Sequence, residues 1–231
     1  MEVLAIIPAR GGSKSIPKKN IYLINGKPLI AYSIIAAQKA KRITRVIVTT
    51  DNEEIASVAR ECGAEVPFMR PKDLSEDTTP DLPVFEHALT WLKKNEGYIP
   101  DAVVHLWPTS PLRKEEDIDK AIELFFRKDA GSLVSVCQTE NLLFIKDKNQ
   151  KLKILNKEFL YSANRQKLPR VYKLDGCMVY SIKTSELLKT KSFLTGKLIG
   201  YEIERWRAID LDEPEDFVLG EMVYKNAKSI K

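Results

Sequence analysis

The chain has 231 residues, of which 44% are hydrophobic and 30% are charged, and its formal net charge is +5. These proportions are typical of one globular domain and exclude a disordered chain. No apolar run approaches the roughly 18 residues that a membrane span needs, and no signal-peptide pattern opens the chain, so we expect a cytoplasmic protein without a membrane segment. The three cysteines, Cys62, Cys137 and Cys177, share no short spacing, which indicates reduced thiols and not a disulfide framework or a zinc site.

Short apolar runs alternate with amphipathic helical patterns from the start of the chain. Strands are predicted at Val3–Pro8, Arg45–Thr50, Glu65–Phe68, Asp101–Leu106 and Ser132–Cys137. Helices are predicted at Pro28–Ala40, Asn52–Cys62, from Asp81 as N-cap to about Leu92, and at Glu115–Arg127. This alternation predicts an α/β fold, with a Rossmann-like, mostly parallel sheet that helices cover on both faces.

The alternation fails between residues 138 and 175. This stretch is polar and shows only short extended segments, so we interpret it as an insertion within a single domain that spans residues 1–231. The regular pattern resumes with strands at Cys177–Ser181 and Ile199–Ile203 and a helix at about Pro214–Tyr224.

The loop after the first strand concentrates four basic side chains, those of Arg10, Lys14, Lys18 and Lys19. Ligands of parallel α/β sheets bind beyond the carboxyl ends of the strands, so we expect an anionic ligand at this loop. Gly11 and Gly12 are expected to adopt positive φ and to expose N–H groups to phosphate oxygens. The spacing matches neither a Walker A loop nor a dinucleotide fingerprint. A solvated basic turn is the alternative interpretation.

The loop, in "IIPARGGSKSIPKKN", resembles the first motif of the CMP-sialic acid synthetases, also called acylneuraminate cytidylyltransferases. Five further segments resemble motifs of this family in the family's order: "RPKDLSEDTT" at 70–79, "LWPTSPLR" at 106–113, "RQKLP" at 165–169, "DG" at 175–176 and "IDLDEPED" at 209–216. The resemblance therefore covers nearly the whole chain.

The resemblance implies a fold of the nucleotide-diphospho-sugar transferase type and transfer of CMP from CTP to the anomeric hydroxyl of an acidic 2-keto-3-deoxy sugar, with release of pyrophosphate. It assigns catalytic roles to Arg10, Lys14, Lys19 and Asp210. It assigns nucleotide binding to Arg10, Gly11, Gly12, Ser13, Lys14, Lys19, Asn20, Arg70, Thr78 and Thr79. It assigns sugar contacts to Trp107, Thr109, Ser110, Arg165 and Gln166.

Asp210 and Asp212 lie two residues apart in "DLD". Side chains at i and i+2 of an extended segment point to the same side, and two neighbouring carboxylates suit Mg²⁺, which also binds phosphate oxygens. The resemblance assigns both residues this metal-binding role. The alternative role, an N-terminal helix cap, is expected for Glu213, Glu215 and Asp216.

Two positions depart from the family pattern. Trp107 stands where the family usually has glutamine, so it removes an amide and adds an apolar face near the sugar. The sugar therefore stays open among sialic acid, a deaminated relative and bacterial diamino nonulosonates such as legionaminic acid. Asp175 stands where asparagine is common, and the sequence does not explain this charge. His87 and His105 are expected to be structural.

Residues 138–175 resemble the family's dimerisation segment, which implies a homodimer. A 3-deoxy-manno-octulosonate cytidylyltransferase and a sugar-1-phosphate nucleotidylyltransferase remain as alternatives. A nucleic-acid-binding module is disfavoured because no aromatic residue accompanies the basic loop in the first twenty residues, so neither nucleic acid nor a membrane is expected as a partner.

Overall fold

The computed structural model describes residues 1–140, 143–155, 169–176 and 178–227. The strands in these ranges are β1 (Val3–Pro8), β2 (Leu23–Ile24), β3 (Lys27–Pro28), β4 (Arg45–Thr49), β5 (Ala102–His105), β6 (Ser132–Thr139), β7 (Phe144–Lys146), β8 (Leu152–Ile154), β9 (Val171–Leu174), β10 (Tyr180–Lys183) and β11 (Leu198–Glu202). The helices are α1 (Leu29–Lys39), α2 (Glu53–Glu61), α3 (Asp81–Glu96), α4 (Glu115–Arg127), α5 (Thr184–Thr190) and α6 (Pro214–Asn226). Short 3₁₀ helices lie at Lys19–Ile21 and Lys72–Leu74.

A seven-stranded sheet forms the centre of the described residues, in the order β11-β6-β10-β5-β1-β4, and β9 also pairs with β6. The strands β4, β1, β5, β6 and β11 share one direction, whereas β10 and β9 run antiparallel to their neighbours. The predicted α/β fold with a mostly parallel sheet is confirmed. None of the helices within the described ranges combines the length and apolar character that a bilayer crossing requires.

Helices cover both faces of this sheet, as β1 illustrates. Val3, Ala5 and Ile7 pack in the cluster that contains α1, α2 and α4. Leu4 and Ile6 pack on the other face, in the cluster that contains α3 and α5. Successive strand residues point to opposite faces, so a strand covered on both faces must be apolar throughout. This is why β1 is an uninterrupted apolar run that ends at the mouth of the basic loop.

The predicted strand at Glu65–Phe68 is wrong. Glu65 forms only an isolated parallel bridge with Ile47, and a second isolated bridge joins Met69 to Thr50. Pro67 lies between these two bridges, and proline has no N–H to donate to a continuous ladder. The segment is nevertheless held beside the end of β4, which places the following residue, Arg70, at the edge of the sheet.

The predicted insertion at residues 138–175 begins inside β6. It contains the separate hairpin β7–β8 and the strand β9, which pairs with β6 in the central sheet. The segment 156–168, which includes Arg165 and Gln166, lies outside the described residues. The single domain and the homodimer therefore stay predictions.

Candidate active site

A cavity of about 510 Å³ opens beyond the carboxyl ends of β1 and β5. Its walls come from the loop after β1, the segment that leads into α3, the loop after β5 and the segment before α6. Eleven of the residues that the sequence assigns to the site line it: Arg10, Ser13, Lys14, Lys19, Asn20, Arg70, Thr79, Trp107, Thr109, Asp210 and Asp212. Residues from four distant parts of the chain therefore meet in one cavity.

Four predicted site residues that the structure describes do not line this cavity: Gly11, Gly12, Thr78 and Ser110. The fully buried Ser110 donates its hydroxyl to the carbonyl oxygen of Gly176 at 2.6 Å. This hydrogen bond joins the loop after β5 to the turn that precedes β10. The geometry thus gives Ser110 a structural role, and its sugar contact stays a prediction.

The structure explains one of the two glycines of the basic loop. Neither has positive φ, so that expectation is wrong; the left-handed residue of the loop is Lys18, at φ 55°. The Gly11 N–H donates to Asp51 Oδ1 at 2.8 Å. A Cβ on Gly11 would lie 2.8 Å from the Cβ of Asn52, the N-cap of α2. Gly11 is therefore explained by close approach of the backbone to α2.

Two cations of the basic loop share one carboxylate. Asp77 forms an ion pair with Arg10 through Oδ1 and with Lys14 through Oδ2. The hydrogen bonds from Lys14 and from Arg10 lower the pKa of Asp77. The chain thus supplies its own anion at the point where the sequence predicts a bound one.

The other two loop cations have partners of their own. Lys18 Nζ lies 2.6 Å from a carboxylate oxygen of Glu54. Lys19 Nζ lies 2.7 Å from Asp212 Oδ1, and its side chain is only 16% exposed. The hydroxyl of Ser15 donates to the backbone carbonyl of Asp212 at 2.6 Å. The basic loop is therefore fastened to the segment that carries both predicted metal ligands.

Arg70 places a fixed cation in the cavity. It is buried, and its Nε donates to Thr49 Oγ1 at 3.1 Å while one terminal nitrogen donates to the Thr49 carbonyl. Burial lowers the pKa of Arg70 to about 10, and the charges of Asp51 and Asp81 partly oppose this shift. The guanidinium consequently stays protonated at neutral pH.

Asp210 is the most perturbed carboxylate of the cavity. Burial raises its pKa to about 6; a hydrogen bond from Thr109 acts against this shift, and the charge of Asp212 adds to it. Its Oδ1 is buried with no hydrogen-bond partner. Asp210 also packs so tightly against Gly176 that a Cβ there would lie 2.8 Å from the Asp210 Cβ. A cation beside Oδ1 would satisfy an atom that the protein leaves unpaired.

Acidic residues that follow Asp212 cap the helix α6. Asp216 accepts the backbone N–H groups of Glu213 at 2.8 Å and of Asp212 at 3.1 Å. Glu213 and Asp216 form a capping box at the start of α6, so their predicted capping role is confirmed. The Asp210 and Asp212 side chains take no part in that cap and line the cavity.

The indole of Trp107 is tied to Asp81. Its Nε1 donates to Asp81 Oδ2 at 3.1 Å, and His105 Nε2 lies 3.6 Å from the same oxygen. Burial lowers the pKa of His105 to about 4, so this histidine is neutral. Asp81 was predicted to cap α3, but Pro80 is the N-cap and Asp81 makes no capping hydrogen bond. With its N–H engaged, Trp107 offers the cavity an apolar ring.

Asp175 has a structural explanation that the sequence did not give. Its carboxylate is buried and accepts the Ser135 hydroxyl at 2.8 Å and the Met178 N–H at 3.3 Å. Burial raises the pKa of this group. Asp175 does not line the cavity, so its charge does not face the predicted anionic sugar.

Sequence reasoning missed three acids that shape the site: Asp51, Asp77 and Asp81. Asp51 follows β4, and residues beyond the carboxyl ends of strands are natural candidates for an α/β site. Asp77 lies within the quoted segment 70–79, but no local pattern indicates its ion pairs. Asp81 reads as a helix cap from sequence alone.

The cytidylyltransferase family model matches residues 4–230. The chain belongs to the cytidylyltransferase family. It is 34% identical over 236 residues to the CMP-N,N'-diacetyllegionaminic acid synthase of Legionella pneumophila, covering 96% of this chain and 95% of that protein. It is 31% identical over 229 residues to the pseudaminic acid cytidylyltransferase of Campylobacter jejuni, covering 97% of each. The family and the nucleotidyltransferase class predicted from the motifs are confirmed.

A solved structure shares this fold. A structure of a CMP:2-keto-3-deoxy-manno-octonic acid synthetase complexed with CTP superposes with a TM-score of 0.72, over 98% of this chain and 100% of that one. Sequence identity in this pair is 16%. The similarity therefore shows the nucleotidyltransferase fold.

Proposed function

We propose that this cytidylyltransferase transfers CMP from CTP to the anomeric hydroxyl of an acidic 2-keto-3-deoxy sugar of the nonulosonate class and releases pyrophosphate. The observation that carries the proposal is one cavity that joins the basic loop to the Asp210–Asp212 carboxylate pair. The relatives named for diacetyllegionaminic and pseudaminic acids support a nonulosonate. The related octulosonate is the second candidate, because the CTP-bound neighbour shares the fold.

Arg10, Lys14 and Lys19 bind the triphosphate in this proposal. The sugar hydroxyl oxygen forms a bond to the α-phosphorus and gives up its proton to solvent. The bond from that phosphorus to the bridging oxygen breaks, and pyrophosphate leaves with the electron pair. Negative charge grows on the leaving group, and fixed cations stabilise it with little reorganisation. Lys19, largely buried and held at 2.7 Å from Asp212, is positioned for this role.

Asp210 and Asp212 hold Mg²⁺ in this proposal. Their fit is supported by the buried Asp210 Oδ1, which has no hydrogen-bond partner. Burial raises the pKa of that carboxyl, and a bound cation would favour its ionised form. Mg²⁺ binds through one or two carboxylates together with substrate phosphates. When bound, the ion supplies Lewis-acid polarisation of the phosphoryl oxygens.

Arg70 supplies a fixed donor for the cytosine, and Trp107 supplies an apolar surface for the sugar. Arg165 and Gln166 stay assigned to the sugar by family resemblance. A homodimer and a cytoplasmic location complete the proposal; Cys62 and Cys137, which are free thiols, support a reducing compartment.

Release of pyrophosphate, followed with a coupled enzyme, tests this function. The substrates are CTP or UTP, combined with N-acetylneuraminate, diacetyllegionaminate, pseudaminate or the octulosonate. We expect turnover with CTP and the highest kcat/KM for a nine-carbon acid. A preference for the octulosonate would establish the second candidate. Absence of sugar-dependent pyrophosphate with every acid, together with turnover of a sugar 1-phosphate, would contradict the proposal.

A further inference from the structure

Asp77 contacts two of the cations that the proposed function assigns to the triphosphate. Each of its carboxylate oxygens serves one cation, Oδ1 for Arg10 and Oδ2 for Lys14. Asp77 lies 67 residues after Arg10, in the irregular segment between the 3₁₀ helix Lys72–Leu74 and α3. The two oxygens of one carboxylate thus pair with two cations that the proposed function assigns to phosphate oxygens.

The two ion pairs of Asp77 can be broken easily because they lie at the surface. The Asp77 side chain is 30% exposed and that of Lys14 is 82% exposed, so both groups reach water. Ion pairs at such sites are weak, and a polyanion competes for them effectively. The segment that carries Asp77 is held locally by the Thr79 N–H, which donates to the Glu76 carbonyl at 3.1 Å. Displacing Asp77 therefore breaks no helix or strand.

We propose that Asp77 is an internal competitor for the phosphate site, which holds Arg10 and Lys14 between turnovers and assists the departure of pyrophosphate. The inference rests on the proposed function. When a triphosphate arrives, the carboxylate yields both cations to it. When pyrophosphate leaves, the carboxylate returns, so the empty site is not left with unpaired positive charge. Asp77 weakens the binding of CTP and of pyrophosphate alike and keeps product release fast.

The test compares Asp77→Asn with the unaltered enzyme. Isothermal titration with pyrophosphate gives Kd directly, and steady-state kinetics give the KM for CTP, the inhibition constant of pyrophosphate and kcat. We expect pyrophosphate to bind about three- to tenfold more tightly, as the loss of one weak ion-pair competitor allows. We also expect the KM for CTP to fall and kcat not to rise.

Glu76→Gln is the matched control. Glu76 also lines the cavity, but within the described residues it makes no ion pair with the basic loop. Its variant removes the same charge without releasing Arg10 or Lys14, and it is expected to change the pyrophosphate Kd less than about twofold. The Asp77→Glu variant keeps the negative charge, so its pyrophosphate Kd is expected to stay near that of the unaltered enzyme. Asp77→Ala is a second neutral variant, and thermal unfolding verifies that each variant is folded.

Three outcomes would contradict the inference about Asp77. Folded Asp77→Asn and Asp77→Ala variants that bind pyrophosphate no more tightly than the unaltered enzyme would overturn the inference and make Asp77 a support for Arg10. An equal gain in Glu76→Gln would overturn it in favour of a general field effect. An unaltered enzyme that neither binds pyrophosphate nor uses CTP would overturn the proposed function, and the inference with it.

Discussion

Replacing Gly176 by alanine tests the position of Asp210 directly. Gly176 has φ +85°, a left-handed conformation that costs a residue with a Cβ about 1–2 kcal/mol. The new Cβ would also lie 2.8 Å from the Asp210 Cβ and 2.9 Å from its Cγ, so one of the two residues must move. Overpacking of this kind costs about 1–3 kcal/mol. We expect the free energy of unfolding to fall by about 2–5 kcal/mol in total.

Gly97→Ala is the matched control for the backbone effect. Gly97 has φ +66°, and a Cβ there would meet nothing within 4 Å. This variant loses only the backbone contribution of about 1–2 kcal/mol and keeps its activity. Urea denaturation followed by circular dichroism measures both stabilities. In Gly176→Ala, kcat should fall at least about tenfold, because a barrier increase of about 1.4 kcal/mol is enough for a tenfold loss. The Mg²⁺ concentration that gives half-maximal activity should rise, because Asp210 is displaced.

The comparison of the two variants carries the conclusion. If Gly176→Ala matches Gly97→Ala in both unfolding free energy and kcat, then Gly176 does not fix Asp210. A loss of stability with unchanged kcat would show that the contact is structural and that the Asp210 position tolerates displacement.

The remaining predictions concern three parts of the cavity. Lys19→Ala should lower kcat at least about tenfold, because a charge-assisted contact is worth roughly 1.5–3 kcal/mol; unchanged kinetics in a folded variant would remove the basic loop from the mechanism. Asp210→Ala and Asp212→Ala should each nearly abolish turnover without unfolding the protein, whereas full activity of the unaltered enzyme in excess chelator would refute the metal site. Trp107→Gln should reorder kcat/KM among keto-acid sugars and leave the KM for CTP within about threefold; lost CTP affinity with an unchanged sugar ranking would place Trp107 in the nucleotide site.

Elements with strong periodicity were predictable from the sequence. The strand Val3–Pro8 and the helix Glu115–Arg127 have the predicted bounds. The buried residues of both are apolar except for Asp117 of the helix, which forms an ion pair with the buried Arg207. The first strand is apolar throughout because other elements pack on both faces of the sheet at this strand. The spacing of apolar residues follows from which faces of a strand or helix are buried, so these elements can be predicted from the sequence.

Errors arose where a distant partner overrides a local preference. Asp81 has the residue type of a helix cap, but Trp107, 26 residues away, takes its carboxylate. Gly11 has the type expected for positive φ, but the approach of Asn52 is what requires a glycine there. Local propensity does not register contacts of this kind.

The candidate site was predictable in its chemistry but not in its charge pairing. The motifs point to the basic loop and to Asp210 and Asp212, and the fold places these in one cavity. The ion pairs of Asp77 were not predictable, because they join distant residues (Arg10 and Asp77 are 67 positions apart) and depend on how the segment before α3 crosses the loop. The same holds for the contact between Lys19 and Asp212.

The most direct test of the central claim is a phosphorus NMR time course of the enzyme with CTP, Mg²⁺ and a nonulosonate. The account predicts that the triphosphate resonances are replaced, in equal amounts and only when sugar is present, by those of inorganic pyrophosphate and of one phosphodiester that joins CMP to the sugar. Formation of CDP and orthophosphate, or consumption of CTP that does not depend on the sugar, would contradict it.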